Sequence, residues 1–117
     1  MNQNKFTDLC GQLMGMIPEL SGVALIANEG TVLFEMGEIV ADESIIGVAG
    51  AALMRLAEHI SARLTECTAH EISIRCKQHA AFFVQAGEDA ILMLALPAEL
   101  DTRTLSGVVP KIIAALH

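Results

Sequence analysis

An α+β domain built on a single antiparallel sheet is what the sequence predicts, and three observations predict it. Apolar residues recur at three- and four-residue steps near both ends and in the middle, which marks helices. Between those segments lie short runs with a period of two, or with nearly continuous apolar character, which mark strands. Gly or Pro punctuates the junctions, and the order that results is α-β-β-α-β-β-β-α.

The first helix spans Lys5 to Ile17, with Phe6, Leu9, Cys10, Leu13, Met14 and Ile17 on one side, and Pro18 stops it. Val23 to Asn28 and Thr31 to Met36 form a hairpin about Glu29-Gly30. Gly37 opens a loop into a 25-residue helix from Asp42 to Glu66, whose acidic first turn suits the helix dipole. In Glu71 to Cys76 the period becomes two, with Ile72, Ile74 and Cys76 facing one way and Glu71, Ser73 and Arg75 the other. Ala80 to Ala86 and Ala90 to Leu96 read as central strands joined by Gly87-Glu88-Asp89. Pro97 ends the last of them. Asp101 or Thr102 caps a final helix that buries Leu105, Val108, Val109, Ile112, Ile113 and Leu116, and Pro110 inside it predicts a kink or a late start.

The long central helix is the informative element. Gly47, Ala49, Gly50, Ala51 and Ala52 add almost no bulk, while Ile45, Ile46, Val48, Leu53 and Leu56 spread around most of its circumference. A helix apolar nearly all round must be covered nearly all round, and its own sheet covers one side only. The second cover is expected to be another copy of the chain, because small residues let helices approach closely and a two-fold axis offers the same patch twice. Ile46, Gly50, Leu53, Ala57 and Ile60 are assigned to the mate or its strands, and Ile45, Ala49, Ala52, Leu56 and Leu64 to the protein's own sheet; the periodicity alone also allows the reverse.

Size and composition narrow the function. At 117 residues the chain is one domain, residues 1–117, able to bury about two-thirds of its unfolded surface. A mean hydropathy of +0.51 raises the question of a membrane. The longest uncharged run in the central helix, Ser44 to Met54, falls far short of the ~20 residues needed to span. The N-terminus lacks the order of a secretory signal, so a soluble, cytoplasmic protein is expected. A net charge of −7, with seven scattered basic residues, argues against nucleic acid. With no Trp, no Tyr and four Phe, no stacking platform exists for bases. Three cysteines suggest no disulfide framework.

The run Ser21-Gly22-Val23-Ala24-Leu25-Ile26-Ala27-Asn28-Glu29-Gly30-Thr31-Val32-Leu33, followed by the Ala/Gly-rich helix and a closing strand-Pro-helix, resembles the Roadblock/dynein light chain family over essentially the whole chain. The sequence departs at the hairpin, where Asn28-Glu29-Gly30 stands in place of the commoner Asp-Gly, although Gly30 still supplies a positive φ. The resemblance implies a five-stranded antiparallel sheet flanked by helices, of profilin-like shape. It also implies a homodimer made through the long helices and the edge strand after them, here Ala69 to Cys76 with Ile72 and Ile74. Family members bind Ras-like small GTPases or serve as scaffolds, and bacterial relatives regulate a gliding-motility-type GTPase, by repositioning the GTPase's own residues.

No constellation for catalysis is present. The serines lack a G-x-S-x-G setting, and no phosphate-binding loop or dinucleotide fingerprint occurs. Arg55, Arg63, Arg75 and Arg103 are read as solvated surface residues in preference to an arginine finger. Cys67-Thr68-Ala69-His70 and Cys76-Lys77-Gln78-His79 are two C-x-x-H pairs with zinc-type ligands. Within one chain they stand ~20 Å apart, and only an antiparallel dimer brings His70 toward the mate's Cys76. The plainer reading keeps Cys76 in the core and the histidines in wet turns, so neither metal nor cofactor is expected. Together with the resemblance, these absences imply a non-enzymatic homodimer that regulates or scaffolds a Ras-like small GTPase through paired central helices, with Glu43, Glu58 and Glu66 on the rim. The alternative is a small-molecule-sensing or structural dimerisation domain of a signalling assembly, which requires a pocket between sheet and helix.

Overall fold

Successive residues of each strand point to opposite faces of the sheet, and helices pack on both. The computed structural model describes residues 3–39, 43–65 and 71–116. The elements are α1 (Gln3–Met16), β1 (Gly22–Ala27), β2 (Val32–Gly37), α2 (Glu43–Thr65), β3 (Glu71–Arg75), β4 (His79–Ala86), β5 (Ala90–Pro97) and α3 (Thr102–Leu116). The five strands lie in the order β2-β1-β5-β4-β3, every neighbour antiparallel. The fold class and element order are those the sequence predicts, and β4, β5 and β1 occupy the middle of the sheet.

Val23, Leu25, Phe82, Val84, Leu92, Leu94 and Leu96 point to one face, where they meet Phe6, Leu9 and Leu13 of α1 and Leu105, Val109 and Ile113 of α3. Ala24, Ile26, Phe83, Ile91 and Met93 point to the other, where they meet Ile46, Ala51 and Met54 of α2. Both faces carry large side chains, and Ala81 and Ala95 lie at the margin of the single-helix face.

Glycine sets how closely α2 approaches. A Cβ on Gly50 would stand 3.1 Å from both Ile26 Cδ1 and Phe83 Cε1, and one on Gly47 would run into the carbonyl oxygen of Gly30. Gly30 itself has φ +107° in the β1–β2 turn, as its place in the hairpin requires. Two glycines therefore lock the start of α2 onto the end of the first hairpin.

The ends of the helices follow from local chemistry. The chain leaves α1 just before Pro18, with the Ile17 amide donating to Leu13 O at 2.7 Å. Asp101 caps α3, its Oδ1 accepting from the Arg103 amide at 2.9 Å. The same carboxylate receives the Arg103 guanidinium at 3.0 Å, which holds Asp101 below the usual carboxylate range. The late start considered for α3 does not occur: the helix runs through Pro110, which is exposed.

Gly50→Leu is expected to weaken the fold itself, because the added side chain must displace Ile26 and Phe83. A loss of about 1–3 kcal/mol, read as a lower urea midpoint, is the scale of such overpacking.

Candidate interaction surface

The site is built from the outward side of α2 and the part of the sheet that α2 leaves bare. Successive residues stand about 100° apart around a helix, so the sheet-facing set Ile46, Gly47, Gly50, Ala51 and Met54 fixes what must face away. Val48 is 63% exposed, Leu56 59%, Ile60 58% and Leu64 76%. Ala49 is exposed beside them and Ala52 half-buried. Four of the large apolar side chains the protein leaves in water thus belong to one helix.

This places the sequence-assigned residues differently from expectation. Ile46 and Gly50, assigned to a mate, are buried against the protein's own sheet. Leu53 and Ala57 are half-buried at the flank, and Leu53 joins the core cluster beneath. Ile60 is exposed. Ala49, Leu56 and Leu64, assigned to the protein's own sheet, are exposed. Gly47 and Gly50 make the closest approach to the sheet side, with Ile46, Ala51 and Met54 buried around them. Ile45 and the rim residues Glu43 and Glu66 have side chains outside the described set, while Glu58 is exposed.

Beside α2 the sheet carries an open apolar groove of about 300 Å³, with Ile39, Ile74, Ala81, Met93 and Ala95 among its walls. Ile72 packs partly against the α2-side core, and Ile74, 39% exposed, lines the groove, so both share the α2 face of β3. Glu71 and Arg75 turn to the opposite face, as the alternation predicts. There Ser106 Oγ donates to Glu71 Oε2 at 2.7 Å, and Arg75 donates to Leu100 O at 3.1 Å. Among the described residues the outer edge of β3 pairs with no strand of the sheet.

Cys76 departs from its expected inward place. The strand ends at Arg75, and Cys76 lies exposed in the β3–β4 turn, its amide donating to His79 O at 2.8 Å. Cys67 and His70, the other C-x-x-H pair, lie outside the described residues. Among the described residues no cluster of three or more His, Cys, Asp or Glu side chains could hold a metal ion, and no helix is long and apolar enough to cross a membrane.

A second ridge was not singled out in the sequence. Arg55, His59 and Arg63 are exposed, each one position ahead of Leu56, Ile60 and Leu64, and they run beside that apolar line. The four-residue spacing was its visible signal. Arg55 and Glu58 also border a polar cleft of about 320 Å³ with Asn28, Gln85 and Glu88.

An antiparallel five-stranded sheet with two helices on one face and one small-residue helix on the other is the Roadblock/LC7 fold. The Roadblock/LC7 domain from Streptomyces avermitilis matches with a TM-score of 0.78 at 16% identity, over 92% of this chain and 91% of that one. Myxococcus xanthus MglB matches with 0.82 at 12% identity, over 99% and 94%. Acanthamoeba castellanii profilin II matches with 0.66 at 16% identity, over 94% of each chain, in keeping with the profilin-like shape expected. No family model matches the sequence, and no curated protein matches it.

The two described thiols should react very differently. Burial pushes the Cys10 thiol up to about 11, so it stays protonated and shielded at neutral pH, whereas Cys76 is exposed. Mass spectrometry after alkylation of native protein should find Cys76 modified and Cys10 modified only on unfolding. A thiol that holds its proton more tightly when folded contributes stability below its ordinary value of 9.0, and that contribution is lost as pH rises through about 11. Stability should accordingly fall over that alkaline window, and less so in Cys10→Ala.

Proposed function

We propose that this protein is a non-enzymatic, cytoplasmic homodimer of a single Roadblock domain that regulates or scaffolds a Ras-like small GTPase. The observation that carries the reading is the outward apolar line of α2 beside a bare apolar groove. An exposed patch of this kind is atypical of a monomer's surface. A two-fold axis can lay the Leu56, Ile60 and Ala49 side of one helix against the groove and helix of its mate, covering both at once. The unpaired edge of β3, with Ile72 and Ile74, lies on the same side and is protected if it meets its own mate. Leu53 and Ala57, at the half-buried flank, join that contact. Ile46 and Gly50 support it from beneath, by setting the height of the helix.

The GTPase half of the proposal rests on the fold and on the sequence resemblance. A pair of such helices presents a broad composite ridge, a surface suited to a globular partner and lacking the convergent polar groups of an enzyme cleft. An acidic, Lys- and Arg-poor chain remains a poor ligand for nucleic acid.

Light scattering on size-exclusion eluate should give twice the chain mass of 12.4 kDa. Leu56→Glu with Ile60→Glu should shift it to monomer without loss of helical circular dichroism, since both side chains already sit in water. A wild-type mass of one chain at high concentration would refute the dimer. A purified Ras-like GTPase from the same genome, loaded with GDP or a GTP analogue, should bind the wild-type protein, and failure in both states would refute the partner.

A further inference from the structure

We infer that the polar cleft between α2 and the β4–β5 turn is a binding site for a free α-amino acid with an apolar side chain. The site belongs to one chain and does not depend on the reading of the paired helices. Its volume of about 320 Å³ suits a small molecule. Two side-chain amides at its sheet end are fixed before any ligand arrives. Asn28 Nδ2 donates to Glu88 O at 2.7 Å, and the Asn28 main-chain amide donates to Asp89 O at 3.1 Å. Gln85 Nε2 donates to Gly87 O and to Ala90 O, both at 2.9 Å. A carbonyl only accepts, so in each side chain the tethered end is the NH2 group. That leaves Asn28 Oδ1 and Gln85 Oε1 as acceptors, and the Glu88 carboxylate borders the same cleft. Three acceptors gathered at one turn match the three N–H donors of an ammonium.

The helix wall supplies the opposite charge. Arg55 of α2 borders the cleft, and its planar fork takes a carboxylate through two parallel bonds. Among the described residues the ion pair present is Arg103 with Asp101, so no carboxylate of the cleft engages Arg55. Ala51, Met54 and Ile91, all buried, form an apolar floor between the two walls. Acceptors, guanidinium and floor answer the ammonium, carboxylate and side chain of one small zwitterion. A phosphate ester would meet the carboxylates of Glu58 and Glu88, and a simple amine would face Arg55 with like charge. Position keeps the site clear of the apolar groove. The cleft lies at Ile91 and the groove at Ala95, about 13 Å further along β5, so a second copy seated on the groove leaves the cleft open.

Isothermal titration calorimetry of the purified wild-type protein tests the site with L-leucine and two truncated analogues. Isoamylamine lacks the carboxylate and isocaproate lacks the ammonium. Saturable binding of L-leucine, at least about tenfold tighter than of either analogue, is the expected result. Arg55→Gln should weaken leucine by about tenfold while sparing isoamylamine, and Glu88→Gln should weaken both. Both replaced side chains are exposed, so an unchanged urea midpoint should accompany each loss. No saturable heat from leucine, methionine, valine or phenylalanine up to about 10 mM would overturn the site. Isoamylamine binding as tightly as leucine to the wild-type protein would overturn the zwitterion in favour of a plain cation. Leucine binding untouched by both substitutions would overturn the cleft as its location. None of these results bears on the dimer or on the GTPase, whose failure would be read separately by light scattering and by the binding assay.

Discussion

The architecture depends on one close approach, that of α2 to the sheet at Gly47 and Gly50. Gly47 meets the Gly30 carbonyl and Gly50 meets Ile26 and Phe83. Interiors are packed to crystalline density, so a helix resting on glycine sits lower than one resting on leucine. At that height Ile46, Ala51 and Met54 fill the contact beneath α2, and Val48, Leu56, Ile60 and Leu64 are left exposed.

On the opposite face of the sheet Phe82, Leu92, Leu94 and Leu96 fill the space under α1 and α3, and Phe6 stacks on Phe34 with ring centroids 5.4 Å apart. Two helices cover that face, while a single helix crosses the other and leaves the groove of Ile74, Ala81, Met93 and Ala95 open. The protein is consequently well sheltered on one side of its sheet and under-covered on the other. Its candidate interaction surface is the under-covered side.

The element order was legible in the sequence because each junction has a local chemical cause. Pro18 ends α1, Gly30 makes the first hairpin, Asp101 caps α3, and the alternation of Glu71 to Arg75 marks β3. The facing of α2 was not legible from periodicity, since two apolar stripes of similar strength run along it. The discriminating cue was residue size: Gly50 belongs where backbone meets sheet, and Leu56 does not. Cys76 misled for a related reason. Period two extends its line from Ile72 and Ile74, but the strand stops at Arg75 and the turn carries Cys76 outward. The ridge of Arg55, His59 and Arg63 was plain in the four-residue spacing, but lone charges on a helix are ordinarily solvated, so it was passed over.

The two hydrogen bonds that tie β3 across to the far layer give the edge a mechanical role. Glu71 is held by Ser106 within α3, and Arg75 by the carbonyl of Leu100 just ahead of it. Both attachments leave the strand on the face opposite α2. A tug applied to this margin from the α2 side is resisted by a helix on the far side of the sheet, so β3 acts as a stiffened hem. Lengthening or loosening the tether at Ser106 would let the margin curl, changing the angle between any two molecules joined along it without touching a residue of the join.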